Sequence, residues 1–252
     1  MRVAPLVALA ALVIALSAFT AGPVAAGDPP PGFVSLFDGK DLAGWKVPAG
    51  DNGHWKVLDG VIDYDAQSES AAQDKSLWSE REFGDFVLRL DWRFKETPYV
   101  NPHARIVMPD GSDKKGIDGK VIDIAVPDSD SGVYLRGNSK SQVNIWCWPV
   151  GSGEVYGYRT DEKQPAAVRA GVTPKINADH NIGEWNTFEI TMKGDRLTVV
   201  LNGKTVIENA ELPGVPARGG IGLQHHGSKE NGKWTAPPAL VQFRNVSIKE
   251  LK

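Results

Sequence analysis

The chain has 252 residues, with 28 Lys and Arg against 31 Asp and Glu and a formal net charge of −3. No basic block or stripe is present, which excludes the usual sequence signature of a nucleic-acid-binding protein. Cys147 is the only cysteine, so an internal disulfide is excluded and burial of a core must stabilise the fold.

Residues 1–26 have the pattern of a secretory signal peptide. Arg2 supplies the positive end, Leu6–Phe19 is apolar, and Val24–Ala26 provides a cleavage site of small residues. The apolar stretch is too short to favour a membrane span, and no cysteine follows it that could carry a lipid. We therefore expect a secreted or periplasmic protein that is not a lipoprotein and that has no membrane association after cleavage.

Alternating apolar residues predict strands along much of the remaining chain. Every second residue of Phe86–Lys95 is apolar, which predicts an antiparallel strand with one face in a core. Phe188–Met192 and Leu197–Leu201 alternate in the same way, and Asn202-Gly203 is a strong hairpin signal before Lys204–Ile207. The C-terminal third is therefore predicted to form a three-stranded meander.

Two polar segments interrupt the strands. Thr97–Gly119 and Arg159–Asn181 are rich in proline and charged residues and are predicted as long loops, which often carry function. No stretch of ten or more residues after residue 26 has a helical period, so an all-β fold is expected. Short strands with Gly and Asn turns favour a two-sheet antiparallel β-sandwich, as one domain over residues 33–252 after a spacer at 27–32.

Short motifs in a fixed order run through this predicted domain. They are Leu36–Lys40 with Gly44-Trp45, Asp59-Gly60, Ser131–Arg136, Gly183–Asn186, Leu201–Gly203, Ile221–His225 and Phe243–Asn245. No single motif is specific, but their order and spacing resemble the 3-keto-disaccharide hydrolase domain family over about residues 33–251. The resemblance implies a concanavalin A-like jelly-roll fold and action on oxidised sugars.

Two neighbouring segments supply candidate sugar ligands. Gln142, Asn144 and Trp146 alternate onto one face of a predicted strand, and we expect Arg136 to reach that face. Amide, guanidinium and indole groups commonly hold sugar hydroxyls; the alternative is the ordinary polar surface of a sheet. The resemblance implies a Glu at the position of Gln142, and an amide there cannot act as a base.

The resemblance also implies chemistry that needs one general base. A ketone at C3 of the sugar acidifies the C2 proton; the base removes it, the C1 substituent leaves, and water then adds. His225, by its match to the family, and Glu154, at a glycine turn beside tyrosines, are the candidate bases, with Gln224 as a nearby substrate ligand. The alternatives are a structural histidine at a strand end and a solvated loop acid.

Three further acids precede the Ser131 strand. Asp123 stands among apolar strand residues, and we expect it to face the site as an orienting group or a cation ligand. Asp128 and Asp130 could offer oxygens to Ca²⁺ or another divalent cation, although they lack the spacing of a known calcium loop and are favoured as turn residues. No cofactor is predicted with certainty.

Three functions therefore fit the sequence. The first is cleavage of 3-keto-glucosides or 3-keto-disaccharides by elimination and hydration. The second is a non-catalytic carbohydrate-binding sandwich, which Gln142 in place of the family Glu favours. The third is a two-carboxylate glycoside hydrolase, which needs two acids on one concave face. In each case the expected partner is a carbohydrate, with no nucleic acid.

Overall fold

The computed structural model describes residues 28–252, and the predicted signal peptide lies outside this range. The described part of the chain contains seventeen strands. In chain order the strands are β1 (Val34–Ser35), β2 (Trp45–Lys46), β3 (Trp55–Leu58), β4 (Val61–Tyr64), β5 (Leu77–Phe83), β6 (Phe86–Phe94), β7 (Tyr99–Arg105), β8 (Asp123–Asp128), β9 (Asp130–Leu135), β10 (Asn138–Trp146), β11 (Asn186–Lys193), β12 (Arg196–Leu201), β13 (Lys204–Glu211), β14 (Gly219–Leu223), β15 (Ser228–Glu230), β16 (Lys233–Ala236) and β17 (Val241–Glu250).

Most strands belong to two antiparallel sheets. The larger sheet has the order β13-β12-β11-β6-β17-β4-β3, with β1 also paired to β17, and the smaller has the order β10-β9-β14-β5-β2. The ribbons β7–β8 and β15–β16 are separate two-stranded sheets. The predicted all-β sandwich is confirmed.

Two short helices lie between β10 and β11. They are α1 (Tyr156–Arg159) and α2 (Ala166–Gly171). No helix within residues 28–252 has the length and apolar character needed to cross a membrane.

The core lies between the two sheets and follows the predicted alternation. In β6 the apolar residues from Phe86 to Phe94 are at most 3% exposed, while the residues between them are half-buried. They meet the inward residues of the smaller sheet, such as Val133, Val143 and Ile221, which are fully buried. Each such side chain contributes about 1.5–3 kcal/mol by leaving water, so this core stabilises a chain without disulfides.

The predicted meander forms one edge of the larger sheet. Phe188 pairs with Leu201, and β12 continues into β13 through Asn202 and Gly203, whose φ angles are 52° and 76°. Two successive positive φ values define the tight hairpin turn that the Asn-Gly pair favours.

The two predicted loops contain short elements of their own. The segment Thr97–Gly119 holds β7, which pairs with β8 from Tyr99↔Asp128 to Arg105↔Asp123. The segment Arg159–Asn181 begins at the end of α1 and contains α2. Both excursions lie next to the edge strand β10, because α1 contacts β10 and Arg159 reaches back to Asp113.

The outer face of the smaller sheet presents three registered rows of residues. The first row is Gln142, Tyr134, Gly222 and Trp78, because these residues pair in sequence across four strands. The second row places Asn144 opposite Gly132, whose carbonyl oxygen accepts the Gln224 backbone N–H. The third places Trp146 opposite Asp130. The residues that alternate with these rows along each strand point into the core, so the side chains of the three rows project outward.

Candidate active site

An amide cluster forms the floor of this outer face. The Gln142 Nε2 group donates to Gln224 Oε1 at 2.6 Å, to Asn144 Oδ1 at 2.5 Å and to the Ser131 carbonyl at 3.2 Å. The side-chain oxygens of Asn144 and Gln224 both accept from Gln142. The NH₂ groups of Asn144 and Gln224 therefore point away from Gln142, out of the cluster. The three amide side chains are 8%, 4% and 8% exposed, so these donors are nearly removed from bulk water. Such donors are suited to a sugar hydroxyl or a developing oxyanion.

Two glycines make room for the side chains above this floor. A Cβ atom on Gly132 would lie 2.7 Å from Gln142 Cγ, and one on Gly222 would lie 2.9 Å from the indole of Trp78. Both distances are shorter than van der Waals contact, so any larger residue would displace the side chain that lies across it. The glycines therefore let Gln142 and Trp78 lie flat on the sheet.

An aromatic wall stands beside the amides. The indole of Trp78 stacks on Tyr134 with ring centroids 5.3 Å apart and an interplanar angle of 14°. Trp78 Nε1 donates to Asp74 Oδ2 at 2.7 Å, which fixes the plane of the ring. Burial raises the pKa of Tyr134 to about 12, so its hydroxyl stays protonated at neutral pH. The half-buried Trp78 is a suitable platform for the C–H face of a pyranose ring.

Two carboxylates flank the junction of β8 and β9, Asp128 at the end of β8 and Asp130 at the start of β9, and their environments differ. Asp128 is fully buried and accepts hydrogen bonds from Asn101 Nδ2, the Cys147 backbone N–H and Trp148 Nε1 at 2.8, 3.2 and 3.1 Å. Asp130 is half-buried, and its Oδ1 is buried with no hydrogen-bond partner among residues 28–252. Burial raises the pKa of Asp130 to about 7. Asp130 is therefore a carboxyl with one free oxygen that titrates near neutral pH.

His226 lies beside these two acids. The segment that follows it runs along β9, because the Asp130 N–H donates to the Pro238 carbonyl at 3.4 Å, and a positive charge on His226 would lower the pKa of both Asp128 and Asp130. His226 Nδ1 donates to the Pro237 carbonyl at 2.6 Å, because a carbonyl oxygen can only accept. In the neutral ring this contact fixes the tautomer and leaves Nε2 as a proton acceptor.

Four of the predicted ligands share this face. Gln142, Asn144 and Gln224 form the amide cluster, and Trp146 lies in the next row. Trp146 is 4% exposed, its Nε1 donates to the Gly151 carbonyl at 2.9 Å, and its ring stacks on Trp148 at 4.1 Å. Trp146 therefore packs against the site rather than offering it a free donor.

Arg136 corrects the prediction that its guanidinium reaches the amide face. Arg136 and Gly137 have φ angles of 54° and 67° and form the two-residue turn between β9 and β10. The guanidinium donates to the Gly84, Gly194 and Pro216 carbonyls and to Asp85 Oδ1, at 2.6 to 3.1 Å. This turn lies at the end of the sandwich opposite Asp130, so Arg136 joins connecting loops there and contacts no amide of the cluster.

Glu154 is neither a solvated acid nor an accessible base. It is fully buried beside the edge of β10, where its carbonyl accepts the Asn144 backbone N–H at 2.9 Å. Glu154 Oε1 pairs with Arg159 Nε at 2.5 Å, and Arg159 also binds Asp113 Oδ1 at 2.9 Å. Burial raises the pKa of Glu154 to about 7, although the Arg159 charge opposes the rise. This buried ion pair anchors α1 to the loop that carries Asp113.

His225 points away from the amide cluster because it alternates with Gln224. Its Nδ1 lies 2.6 Å from the hydroxyl of Tyr64 in β4, so the ring joins the two sheets at one end of the sandwich. Burial lowers the pKa of His225 to about 4, and the ring is neutral at pH 7. His225 was predicted as the base on the cleft face from its motif match, but it does not lie on that face.

Asp123 lies on the β7–β8 ribbon, outside the amide face. Its carboxylate pairs with Arg105 and with His103 Nδ1, the latter at 3.0 Å, and its side chain is 37% exposed. The ribbon uses Asp123 as a cross-strand ion pair, because Arg105 is its direct register partner. Within residues 28–252 no group of three or more His, Cys, Asp or Glu side chains is arranged to hold a metal ion.

Four residues of this face were not predicted as bases or sugar ligands, although Asp130 was considered as a cation ligand. They are Trp78, Tyr134, Asp130 and His226, which surround the amide cluster. Strand alternation held a signal for His226, because the alternation of β14, continued past Leu223, puts residues 224 and 226 on one side and residue 225 on the other. Asp130 had the same signal, since alternation along β9 puts residues 130, 132 and 134 on one side.

Comparisons with known proteins agree with this architecture. The model of the 3-keto-alpha-glucoside-1,2-lyase-like domain family matches residues 32–249. A candidate glycosyl hydrolase from Parabacteroides distasonis is 19% identical with a TM-score of 0.55, over 88% of this chain and 95% of that chain. A second from the same organism is 21% identical with a TM-score of 0.53, over 88% and 84% of the two chains. No curated protein matches the chain. At this identity the two structures show the shared fold alone.

Proposed function

This chain belongs to the 3-keto-alpha-glucoside-1,2-lyase-like domain family, and on that premise we propose that it cleaves the glycosidic bond of 3-keto-glucosides by elimination followed by hydration. The observation that supports the proposal is the environment of Asp130. Its Oδ1 is buried without a partner, its pKa is raised to about 7 by burial, and it faces the same side of the sheet as the amide cluster. A general base is most effective when its pKa lies near the working pH.

Asp130 removes the C2 proton of the bound 3-keto sugar. The electron pair of the C2–H bond forms an enolate with the C3 carbonyl, which places negative charge on the C3 oxygen. The enolate then reforms the ketone as the C1–C2 double bond forms and the C1–oxygen bond to the aglycone breaks. The aglycone oxygen takes up a proton, and addition of water across the double bond gives the free 3-keto sugar.

The remaining groups of the face stabilise and orient the substrate. The NH₂ groups of Asn144 and Gln224 donate to the enolate oxygen, where a nearly water-free donor is most effective. Trp78 stacks on the sugar ring. His226 presents Nε2 to a sugar hydroxyl, because its Nδ1 is committed to the Pro237 carbonyl.

Paired chromogenic substrates test the reaction. The full chain is incubated with p-nitrophenyl 3-keto-α-glucoside and with the unoxidised glucoside. We expect nitrophenol release from the keto sugar only, and exchange of the C2 proton for deuterium in D₂O, because the ketone is what acidifies C2. Equal cleavage of both glucosides, or of neither, would contradict the proposal.

A matched pair of Asp→Asn variants tests the assignment of the base. Asp130→Asn should lower kcat by about 10²–10⁴-fold, the usual contribution of a positioned base. Asp195→Asn is the control, because Asp195 is an exposed acid at the opposite end of the sandwich, beside Arg196. For wild type, kcat/KM should rise with pH through about 7 as Asp130 loses its proton. Full activity of Asp130→Asn would reject Asp130 as the base.

A carbohydrate-binding module without catalysis is the second candidate. Gln142 favours it, because an amide stands where the resemblance implies a Glu, and its Nε2 is fully engaged with Ser131, Asn144 and Gln224. Calorimetric binding of an unoxidised glucoside, with no proton exchange and no nitrophenol release from the keto sugar, would favour this function.

The site of action is proposed to be outside the cytoplasm, either the periplasm or the medium. The signal pattern of residues 1–26 supports this proposal. Expression of the full chain, cell fractionation and N-terminal sequencing of the product test it. A product that begins near residue 27 in the periplasm or medium is expected, and an uncleaved cytoplasmic product would contradict it.

A further inference from the structure

We infer that the chain has a second carbohydrate site, a cavity at the end of the sandwich that binds a single neutral sugar ring or a comparable cyclic polyol. The cavity has a volume of about 270 Å³ and lies between the ends of β6, β10 and β11. Its lining includes Trp92, Trp148, Asp179 and Ile182. It does not include any amide of the cluster on the outer face.

Two buried polar atoms in the lining lack partners among residues 28–252. Trp92 is 3% exposed, and its Nε1 donor is buried with no acceptor. Asp179 Oδ1 is buried with no donor, while its Oδ2 accepts the Ser152 backbone N–H at 2.8 Å. An unmet buried polar group costs about 1–3 kcal/mol, so a ligand that supplies both partners is favoured.

The chemistry of these two atoms defines the ligand. Trp92 Nε1 needs an acceptor and Asp179 Oδ1 needs a donor, and the hydroxyl groups of a polyol supply both. An anion would meet the carboxylate of Asp179, and a simple cation would leave the indole N–H unmet. The aromatic rings of Trp146 and Trp148 line the same cavity and can contact C–H groups.

The volume of the cavity suits a single ring. Pockets for drug-sized molecules measure about 300–1,000 Å³, and this cavity is smaller than that range.

The loop at the mouth of the cavity is held in place by three contacts. Asn202 Nδ2 donates to the Ala178 carbonyl at 2.8 Å, the His180 N–H donates to Asn186 Oδ1 at 2.8 Å, and the Asn177 Nδ2 donates to the Pro149 carbonyl at 3.3 Å. The site is therefore preformed. Ile182, which is 48% exposed, lies among the lining residues and provides an apolar edge at the surface.

This second site is distinct from the proposed reaction and does not depend on it. The two sites are nevertheless neighbours, because the ring of Trp148 lines the cavity while its Nε1 donates to Asp128, two residues before Asp130. Sugar binding in this cavity is expected whether or not the protein turns over a 3-keto sugar.

Calorimetric titration of the full chain with D-glucose tests the inference. In Asp179→Asn, the Ser152 N–H keeps the amide oxygen, so the NH₂ group turns toward the cavity and replaces an acceptor by a donor. We expect Kd to rise about tenfold or more. Ile182→Trp should abolish binding at this site by filling the mouth. Asp130→Asn should leave it unchanged, which separates this site from the active site.

A crystal soaked with D-glucose locates the sugar. Density for a sugar ring between Trp92 and Asp179 is the expected result, and ordered water alone in the cavity would overturn the inference. Wild-type affinity in both Asp179→Asn and Ile182→Trp would also overturn it. Ile182 is at the surface, so its variant remains informative even where Asp179→Asn folds poorly.

Discussion

The hydroxyl of Tyr64 and Nδ1 of His225 lie 2.6 Å apart, joining the larger sheet to the end of the smaller sheet. Burial raises the pKa of Tyr64 and lowers the pKa of His225 to about 4. Both groups are therefore neutral at pH 7, and the hydroxyl donates to the ring. The ring of Tyr64 also stacks on Trp55 at 3.7 Å, which fixes the direction of the donor. This contact is a structural hydrogen bond between the sheets.

The depressed pKa of His225 predicts a pH-dependent stability. The folded pKa of about 4 lies below the unfolded value of about 6.5, so the unfolded chain binds more protons between these values. Stability is fully present above about pH 6.5 and is lost as the pH falls toward 4. After discounting for partial exposure, we expect a loss of about 2 kcal/mol. Urea unfolding at pH 4 to 7 should show this loss for wild type and not for His225→Gln.

Two comparisons isolate this effect. Asp130 and Glu154 have raised pKa values and act in the opposite sense, but they are present in both proteins and cancel in the difference. Tyr64→Phe is the matched control, because it removes the hydrogen bond and keeps the titrating ring. It should lower stability by about 1 kcal/mol while the pH slope persists. Equal slopes in wild type and His225→Gln would show that His225 is not the group responsible.

Gly132 controls the position of the amide cluster. Gly132→Ala should push the Gln142 side chain off the sheet, because the new Cβ would lie 2.7 Å from Gln142 Cγ. We expect a stability loss of about 1–3 kcal/mol and a larger KM for the keto sugar. Gly84→Ala is the control, since a Cβ there would meet nothing closer than 3.5 Å. Unchanged KM in Gly132→Ala would exclude the amides from substrate binding.

Arg136 is predicted to matter for stability and not for substrate affinity. Its side chain is 1% exposed and donates to three carbonyls and one carboxylate, which a single ammonium group cannot satisfy. Arg136→Lys should therefore lower the free energy of unfolding by about 2–4 kcal/mol, as measured by urea titration.

The control for this variant is Arg196→Lys at an exposed position. Arg196 is 46% exposed and lies 3.5 Å from Glu211, so its replacement should change stability by less than about 0.5 kcal/mol. In the folded Arg136→Lys protein the KM for the keto sugar should equal that of wild type. A raised KM with unchanged stability would return Arg136 to the substrate site.

Much of the fold could be predicted from the sequence because the signals are local. The period-two pattern of Phe86–Lys95 predicts β6, and the Asn202-Gly203 pair predicts the hairpin turn, in which both φ angles are positive. The turn at Arg136-Gly137 has the same geometry but was not predicted, since arginine carries little turn signal. Because Arg136 lies in this turn, its guanidinium is at the end of the sandwich and not on the amide face.

The site was predictable where it depends on one strand and not where it depends on contacts between distant segments. Alternation along β10 correctly places Gln142 and Asn144 on one face. Burial of Glu154 depends on Arg159 and on Asp113, which belongs to a loop about 40 residues earlier. The raised pKa of Asp130 likewise depends on packing that no local pattern reports.

Placing at position 142 the Glu that the resemblance implies should not raise activity. Gln142 Nε2 donates to Gln224, Asn144 and the Ser131 carbonyl, and the carboxylate of Gln142→Glu would place an acceptor against that fixed carbonyl. We expect a stability loss of about 1–3 kcal/mol at pH 7, measured by urea unfolding. The loss should shrink as the pH falls, because a protonated carboxyl regains a donor. Gln67→Glu is the control, since the side chain of exposed Gln67 accepts from Lys229 and donates to no described residue. Higher turnover without loss of stability in Gln142→Glu would show instead that the amide is what limits the reaction.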